Sequence, residues 1–217
     1  MRLTDIAREQ MVGQQVRAWE VLDPQVLETL ASVPRECFVP PAFESLAYAD
    51  MEIPLPAGQH MLPPKIVGRI LQAVQVQPRD RALEIGTGSG YLTACLARRA
   101  AQVETLEIEP AIAQFATQNL TRFGVRNVQL HCADAFAPAS VTGTYDVIVL
   151  TGSLPRYTEQ FEAHLAGGGR LFVVVGDCEP MSARLITRAA GGMESRRLFE
   201  TRIDPLRHAP AVPRFRF

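Results

Sequence analysis

The chain lacks the features that mark secreted, membrane-embedded or nucleic-acid-binding proteins. Its apolar runs, Val147–Leu150 and Leu171–Val175 among them, fall far short of the roughly 20 residues a helix needs to cross a bilayer. The opening MRLTDIAREQMVGQQ is polar and has no apolar core of the signal-peptide kind. Neither sign of charge prevails: 22 Lys+Arg stand against 23 Asp+Glu, for a net charge of −1. No electrostatic reason therefore exists to expect a nucleic-acid or membrane partner. A locally basic end, with Arg202, Arg207, Arg214 and Arg216, is too dilute to change this. The four cysteines, Cys37, Cys95, Cys132 and Cys178, are far apart, and no CxxC or Cys/His cluster accompanies them. That argues against a zinc site or any other metal site, and for reduced thiols in the cytoplasm. The single tryptophan, Trp19, is expected to pack between helices.

What is present is enough for one buried core: 217 residues, 47% of them apolar. The reading is a single domain over 1–217, with a helical and loop extension at 1–76 and an α/β core at 77–217. In the extension, Asp23 caps a helix that opens with Pro24 and carries Val26, Leu27 and Leu30 at helical spacing. IPLPAGQHMLPP contains four prolines and must be looped or extended. Lys65 to Val76 reads as a helix with Ile66, Ile70, Leu71 and Val74 on one face. From Arg81 onward strands and helices alternate. Strands are predicted at Ala82–Ile85, Val103–Ile108, Asn127–His131, Tyr145–Leu150 and Arg170–Val175, the last following a turn at Gly167–Gly169. Helices are predicted at Tyr91–Arg99 and at Ala111–Arg122, the latter ended by Gly124. This alternation implies a doubly wound, mostly parallel sheet with helices on both faces.

The sharpest motif is Glu84-Ile85-Gly86-Thr87-Gly88-Ser89-Gly90, which leaves a strand and opens a helix. Glycines serve where backbone turns with positive φ or approaches a ligand closely, and a helix start offers free N–H groups. The pattern is GxGxG. Tyr91 stands where a dinucleotide-binding turn needs its third glycine, which disfavours NAD and FAD. Glu107, followed by Ile108, ends the next strand 21 positions after Gly86, where an acid accepts both hydroxyls of a ribose. S-adenosylmethionine (SAM) carries those hydroxyls but no phosphate. Its ammonium would favour a carboxylate such as Glu84. Asp134, with Ala135, ends the third strand, where the adenine amino group can donate. Thr151 ends the fourth, at the sheet edge where ligands of open α/β sheets bind.

Beyond the motif, the chain resembles protein-L-isoaspartate O-methyltransferases. The resemblance is carried by VLDPQVLETLASVPRECFVPPAFESLAYAD with its VPRExFV core, by ALEIGTGSGYLTACLA, by YDVIVLTGS and LAGGGRLFVVVG, and by RIDPL near the end. It implies a seven-stranded sheet of the SAM-dependent methyltransferase kind, with the last two strands exchanged relative to common SAM enzymes. It implies methyl transfer from SAM to the carboxylate of isoaspartyl residues in damaged proteins, and SAM contacts by Glu84, Gly86, Gly88, Glu107, Asp134 and Ala135. Gln59 lies in a segment, Pro54 to Leu62, that is similar to the family's PIGxGQTIS loop, which covers SAM and shapes the substrate site. Here the loop reads PLPAGQHML. His60 stands at the threonine of TIS and Leu62 at its serine, whose hydroxyl helps hold the substrate carboxyl in the family. Asp204 replaces an apolar residue before the C-terminal Pro-Leu, and an anion there repels a carboxylate if it faces the site. TGSLPRYT replaces a TAAPPxIP-like run, and Arg156 and Tyr157 in it could reach the mouth of the site.

A carboxylate is already ionised at neutral pH, with a reference pKa of ~3.9 for aspartate. Its methylation needs alignment and exclusion of water, not a base. Loss of one hydrogen bond to such a charged group costs on the order of 1.5–3 kcal/mol. His60 can replace the lost donor when protonated or act as a base toward another nucleophile. The candidate acceptor-site residues are therefore Gln59, His60 and Leu62. Two alternatives stay open at this point: a SAM methyltransferase for a different small-molecule or protein nucleophile, and a SAM-binding protein without catalysis. The oligomeric state is not readable from the sequence.

Overall fold

The structure, a computed structural model, describes residues 3–210; Arg214 and Arg216 lie outside that range. Among the described residues, no helix is long and apolar enough to cross a membrane. The first fifty residues are mainly helical. α1 (Leu3–Gln10) runs into a π-helical turn at Met11–Val16, and α2 spans Pro24–Ser32. Asp23 caps α2 by accepting Gln25 N–H at 2.8 Å, and Pro24 takes the first turn, where its missing donor costs nothing. The proline-rich stretch forms a short antiparallel hairpin, β1 (Ile53–Pro54) and β2 (His60–Met61), paired Ile53↔Met61 and Pro54↔His60. α3 (Pro64–Val74) follows.

The core elements are β3 (Arg81–Ile85), α4 (Tyr91–Ala97), β4 (Gln102–Glu107), α5 (Pro110–Phe123), β5 (Val128–Cys132), β6 (Tyr145–Leu154), β7 (Leu165–Val175), β8 (Met181–Ala189) and β9 (Gly192–Thr201). They form a seven-stranded sheet in the order β5-β4-β3-β6-β7-β8-β9. β5 through β7 are mutually parallel, and β8 is antiparallel to both β7 and β9. The last two strands thus follow β7 in chain order as a meander, the exchange that the family resemblance implies. The chain builds outward from β3 to β5 and then returns to the other side of β3. The switch point between β3 and β6 leaves a crevice beyond their C-terminal ends.

Successive residues of the central strands enter opposite cores. Val147, Val149, Phe172 and Val174 join α2, α3, α4 and α5 in one cluster. Ile148, Leu150, Leu171 and Val173 join Phe161 and Phe136 in the other. Burial on both faces explains why these strands read as unbroken apolar runs. The two faces are covered unequally. All the long crossover helices lie on the first, and the second carries the 3-10 helix Glu159–His164 and loops.

Three details differ from the sequence reading. Gly167–Gly169 is not a turn before the strand but part of β7, bulging where the register with β6 jumps between Tyr145↔Leu165 and Val147↔Arg170. β6 does not stop at Leu150 but runs to Leu154 through a second irregularity between Val149 and Ser153. That bulge re-aims Thr151 toward the glycine turn, a common use of bulges beside ligand sites. Trp19 is not buried between helices. It is 39% exposed, with the Lys65 ammonium 4.4 Å above its ring.

Candidate functional site

At the switch point the chain leaves β3 and turns through Gly86 to Gly90 before α4. Gly86 has φ +91°, and a Cβ there would lie 2.4 Å from Thr151 Oγ1. The β6 bulge therefore requires a bare backbone at this point. Thr151 Oγ1 donates to the carbonyls of Ile85 (2.9 Å) and Gly86 (2.5 Å), which locks the turn to β6. Gly88 has φ +56°, and a Cβ there would meet Leu55 Cδ1 at 3.7 Å, an ordinary contact; its backbone conformation is what favours glycine. Gly88 N–H donates to Glu107 Oε2 at 3.0 Å, and Glu109 N–H to Glu107 Oε1 at 3.1 Å. Burial raises the Glu107 carboxyl above its ordinary range, and the backbone N–H groups of Glu109, Gly88 and Ile108 oppose this.

Glu84 is fully buried at the end of β3. Its Oε2 accepts Thr93 (2.5 Å) and Thr105 (2.8 Å), and Oε1 has no partner. Burial, partly offset by the two threonines, pushes its pKa up to about 8. A cationic group entering from the crevice would satisfy the free oxygen and restore the charge. Asp134 accepts Phe136 N–H (2.9 Å) and pairs with His208 (2.7 Å). Its slight burial raises the pKa, but the His208 and Phe136 hydrogen bonds hold it below the ordinary value.

The crevice has a volume of about 770 Å³. It brings together Gln59, His60, Leu62, Ile85, Gly86, Gly88, Glu107, Ile108, Asp134, Ala135 and Thr151. Beneath the hairpin it adjoins an inner chamber of about 360 Å³ where Glu84, Thr87 and Ser89 are found. The sequence reading treated the whole of Glu84–Gly90 as one contact run; the turn geometry divides it. Thr87 bonds Thr105 at 2.7 Å, the Ser89 carbonyl accepts Asn119 Nδ2 at 3.0 Å, and Gly90 faces Leu120 of α5. Arg156 and Tyr157 do not line the crevice; Tyr157 donates to Glu162. Cys95 is fully buried in the first core.

Several lining residues have no signature in the sequence. The segment after β9 straps across the crevice. It is tethered to β6 by Ser153 N–H to the Asp204 carbonyl (2.8 Å) and Leu206 N–H to the Ser153 carbonyl (2.9 Å). Leu206 lies over Gly86 and Gly152. Arg207 pairs with Glu109 and reaches the Ala57 carbonyl, and His208 meets Asp134. His60 Nδ1 lies 2.9 Å from Asp204 Oδ2, so hairpin and strap meet above the crevice. Below the hairpin, Arg35 is fully buried. Its Nε donates to the Ala47 carbonyl and its Nη2 to the Leu62 carbonyl, each at 2.8 Å.

Residues 7–209 match the family described as protein-L-isoaspartate(D-aspartate) O-methyltransferase (PCMT). The protein-L-isoaspartate O-methyltransferase of Methanospirillum hungatei is 38% identical over 94% of this chain and 94% of its own.

This chain belongs to the protein-L-isoaspartate O-methyltransferase family.

A second family member, from Koribacter versatilis, is 35% identical over 92% of this chain and 90% of its own. The fold agrees as well. A beta-aspartate methyltransferase (PCMT) from Plasmodium falciparum, solved with S-adenosyl-L-homocysteine, superposes with a TM-score of 0.79 at 21% identity, covering 92% of this chain and 98% of that one.

Proposed function

We propose that this chain is a SAM-dependent O-methyltransferase that esterifies the free carboxylate of L-isoaspartyl residues in damaged peptides and proteins. The observation that carries the reading is the match of this family over residues 7–209, together with a crevice whose acids and bare backbone suit a nucleoside sulfonium. Bound SAM would supply an electrophilic methyl on a positively charged sulfur. The chain's own residues would do the rest. Gly86 and Gly88 let the backbone approach the ligand, and Glu107 accepts from the ribose. Asp134 and Ala135 border the adenine. Glu84, with its free Oε1, takes the ammonium. Gln59, His60 and Leu62 form the wall toward the acceptor.

No group need abstract a proton, because the acceptor carboxylate is ionised at neutral pH. The hairpin and strap hold the acceptor in line and keep water out. A peptide acceptor is supported by an open groove of about 1200 Å³ that shares Asp204 and Pro205 with the crevice, room for chain flanking the damaged residue. On this reading the protein acts in the cytoplasm, where its thiols stay reduced.

The deciding experiment presents an isoaspartyl peptide and its aspartyl twin to the enzyme with labelled SAM. Methyl incorporation into the first alone is expected. Equal, negligible incorporation with SAM binding intact would overturn the reading.

A further inference from the structure

We propose that His60, oriented by Asp204, is the cationic donor that receives the acceptor carboxylate, and so sets acceptor specificity and its pH dependence. The inference rests on the isoaspartyl reading above and adds the residue that grips the reacting group.

The argument is one of elimination at a single place. The crevice and the inner chamber meet at residues common to both: His60, Leu62, Gly86, Gly88 and Thr151. Glu107 lies on the crevice side and Glu84 on the chamber side. A ligand spanning the two acids therefore has its centre at this junction. A carboxylate approaching there needs hydrogen-bond donors. Gly86 N–H is committed to the Leu106 carbonyl at 2.8 Å, and Gly88 N–H to Glu107. The Thr151 hydroxyl is spent on Ile85 and Gly86. Leu62 has no polar side-chain atom. Of the junction's side chains, only the imidazole of His60 can still donate. Its Nδ1 is held by Asp204, which leaves Nε2 as the outward group.

The partner makes the state of the ring decisive. With the ring protonated, Nδ1–H faces Asp204 and Nε2–H points outward, so a carboxylate meets a donor on a cation. With the ring neutral and Nδ1–H given to Asp204, Nε2 presents a lone pair that repels a carboxylate. Asp204 is thus not the repelling anion that its place in the sequence suggests. It is a positioning residue whose charge is countered by His60, and the changes at 60 and 204 are two halves of one contact. The other charged groups lining this place are Glu52 before the hairpin, Arg35 and Glu84 from the chamber, Glu107 and Glu109 at the end of β4, Asp134 after β5, and Arg207 on the strap. Burial raises Glu107 above its ordinary range and Glu84 to about 8, and Arg207 is paired with Glu109, so His60→Gln, which leaves these groups in place, separates their effect from that of the imidazole.

The test measures isoaspartyl-peptide affinity by calorimetry, with S-adenosylhomocysteine bound, from pH 6 to pH 8.5, alongside turnover. The peptide carboxylate is ionised throughout, so a pH dependence of its affinity reports on the protein. Affinity is expected to fall about tenfold or more as pH rises, the scale of one charged hydrogen bond. His60→Gln should bind weakly and flatly across the range, and Asp204→Asn should weaken the low-pH advantage. Adding Leu62→Ser to His60→Gln should recover affinity without recovering pH dependence. A wild-type affinity unaffected by pH and by His60→Gln, with the peptide still methylated, overturns the role of His60 and leaves the isoaspartyl reading standing. So does turnover that rises with pH at constant affinity, which would mark His60 as a base. S-adenosylhomocysteine binding with no peptide binding at any pH removes both.

Discussion

The cofactor side and the acceptor side of the crevice are built in different ways. On the cofactor side, acids and glycines sit at the ends of adjacent parallel strands, and their contacts are set by sheet register. Glu84 bonds Thr93 and Thr105, and Gly88 bonds Glu107, all within neighbouring strand–helix units. On the acceptor side, two exposed segments are fastened to each other and to the strand ends by side chains far apart in the chain. His60 meets Asp204 across 144 residues, Arg207 meets Glu109 across 98, and His208 meets Asp134 across 74. A site can therefore keep its cofactor half by conserving strand geometry while its acceptor half changes by a pair of exchanges. Substitutions on the first side should disturb nucleoside binding, and those on the second should spare it.

The largest break is expected at Gly86→Val. It forces a β-branched side chain into positive φ and against Thr151. About 3 kcal/mol of stability should go, seen as a Tm lower by about 10 °C, with S-adenosylhomocysteine binding lost. Glu107→Ala comes next. It removes the ribose acceptor and leaves Gly88 N–H and Glu109 N–H unpaired, so the same ligand should bind about 10- to 100-fold more weakly by calorimetry. Peptide methylation should fall in proportion to cofactor occupancy.

Glu84 sharpens the comparison through protons. With its pKa pushed up to about 8, the unbound protein holds this carboxyl largely protonated at pH 7, and an ammonium beside it favours the ionised form. Binding of S-adenosylhomocysteine at pH 7 should release roughly one proton, measured by calorimetry in buffers of different ionisation heat. Glu84→Gln should abolish the release. The same shift bears on stability. The folded pKa lies above the unfolded value of ~4.3, so the stabilisation is complete below that pH and is lost as pH rises through 8. Thermal melts of the unbound protein should show this decline, and Glu84→Gln should flatten it. The smallest effect is expected on the strap. Arg207→Ala removes a partly exposed ion pair worth about 0.5 kcal/mol. It should speed release of the isoaspartyl peptide about two- to threefold in stopped flow and leave S-adenosylhomocysteine affinity and Tm nearly unchanged.

The same contrast governs how far the sequence could be read. Strands buried on both faces announce themselves as apolar runs, and Val147–Leu150 and Leu171–Val175 are where they were expected. The glycine turn and the acids at strand ends are legible because their spacing is dictated by the alternation of strand and helix. The bulge at Thr151 was not legible, since an irregular register depends on both strands at once. The extra length of β7 was hidden by glycines that look like a turn. The strap was the least visible part. Leu206, Arg207 and His208 follow no period, and their partners are brought near only by the finished sheet. His60 and Asp204 were each noticed as oddities, but their pairing exists only in three dimensions.

Arg35 carries one last implication. A guanidinium wholly inside the protein, set over the Tyr91 ring, ties the carbonyl of Ala47 to that of Leu62. The ceiling of the reaction chamber is thereby fastened to the helical extension and not to the sheet below it. The first fifty residues are in this sense part of the catalytic apparatus, although none of those described lines the crevice itself and Arg35 reaches only the adjoining chamber.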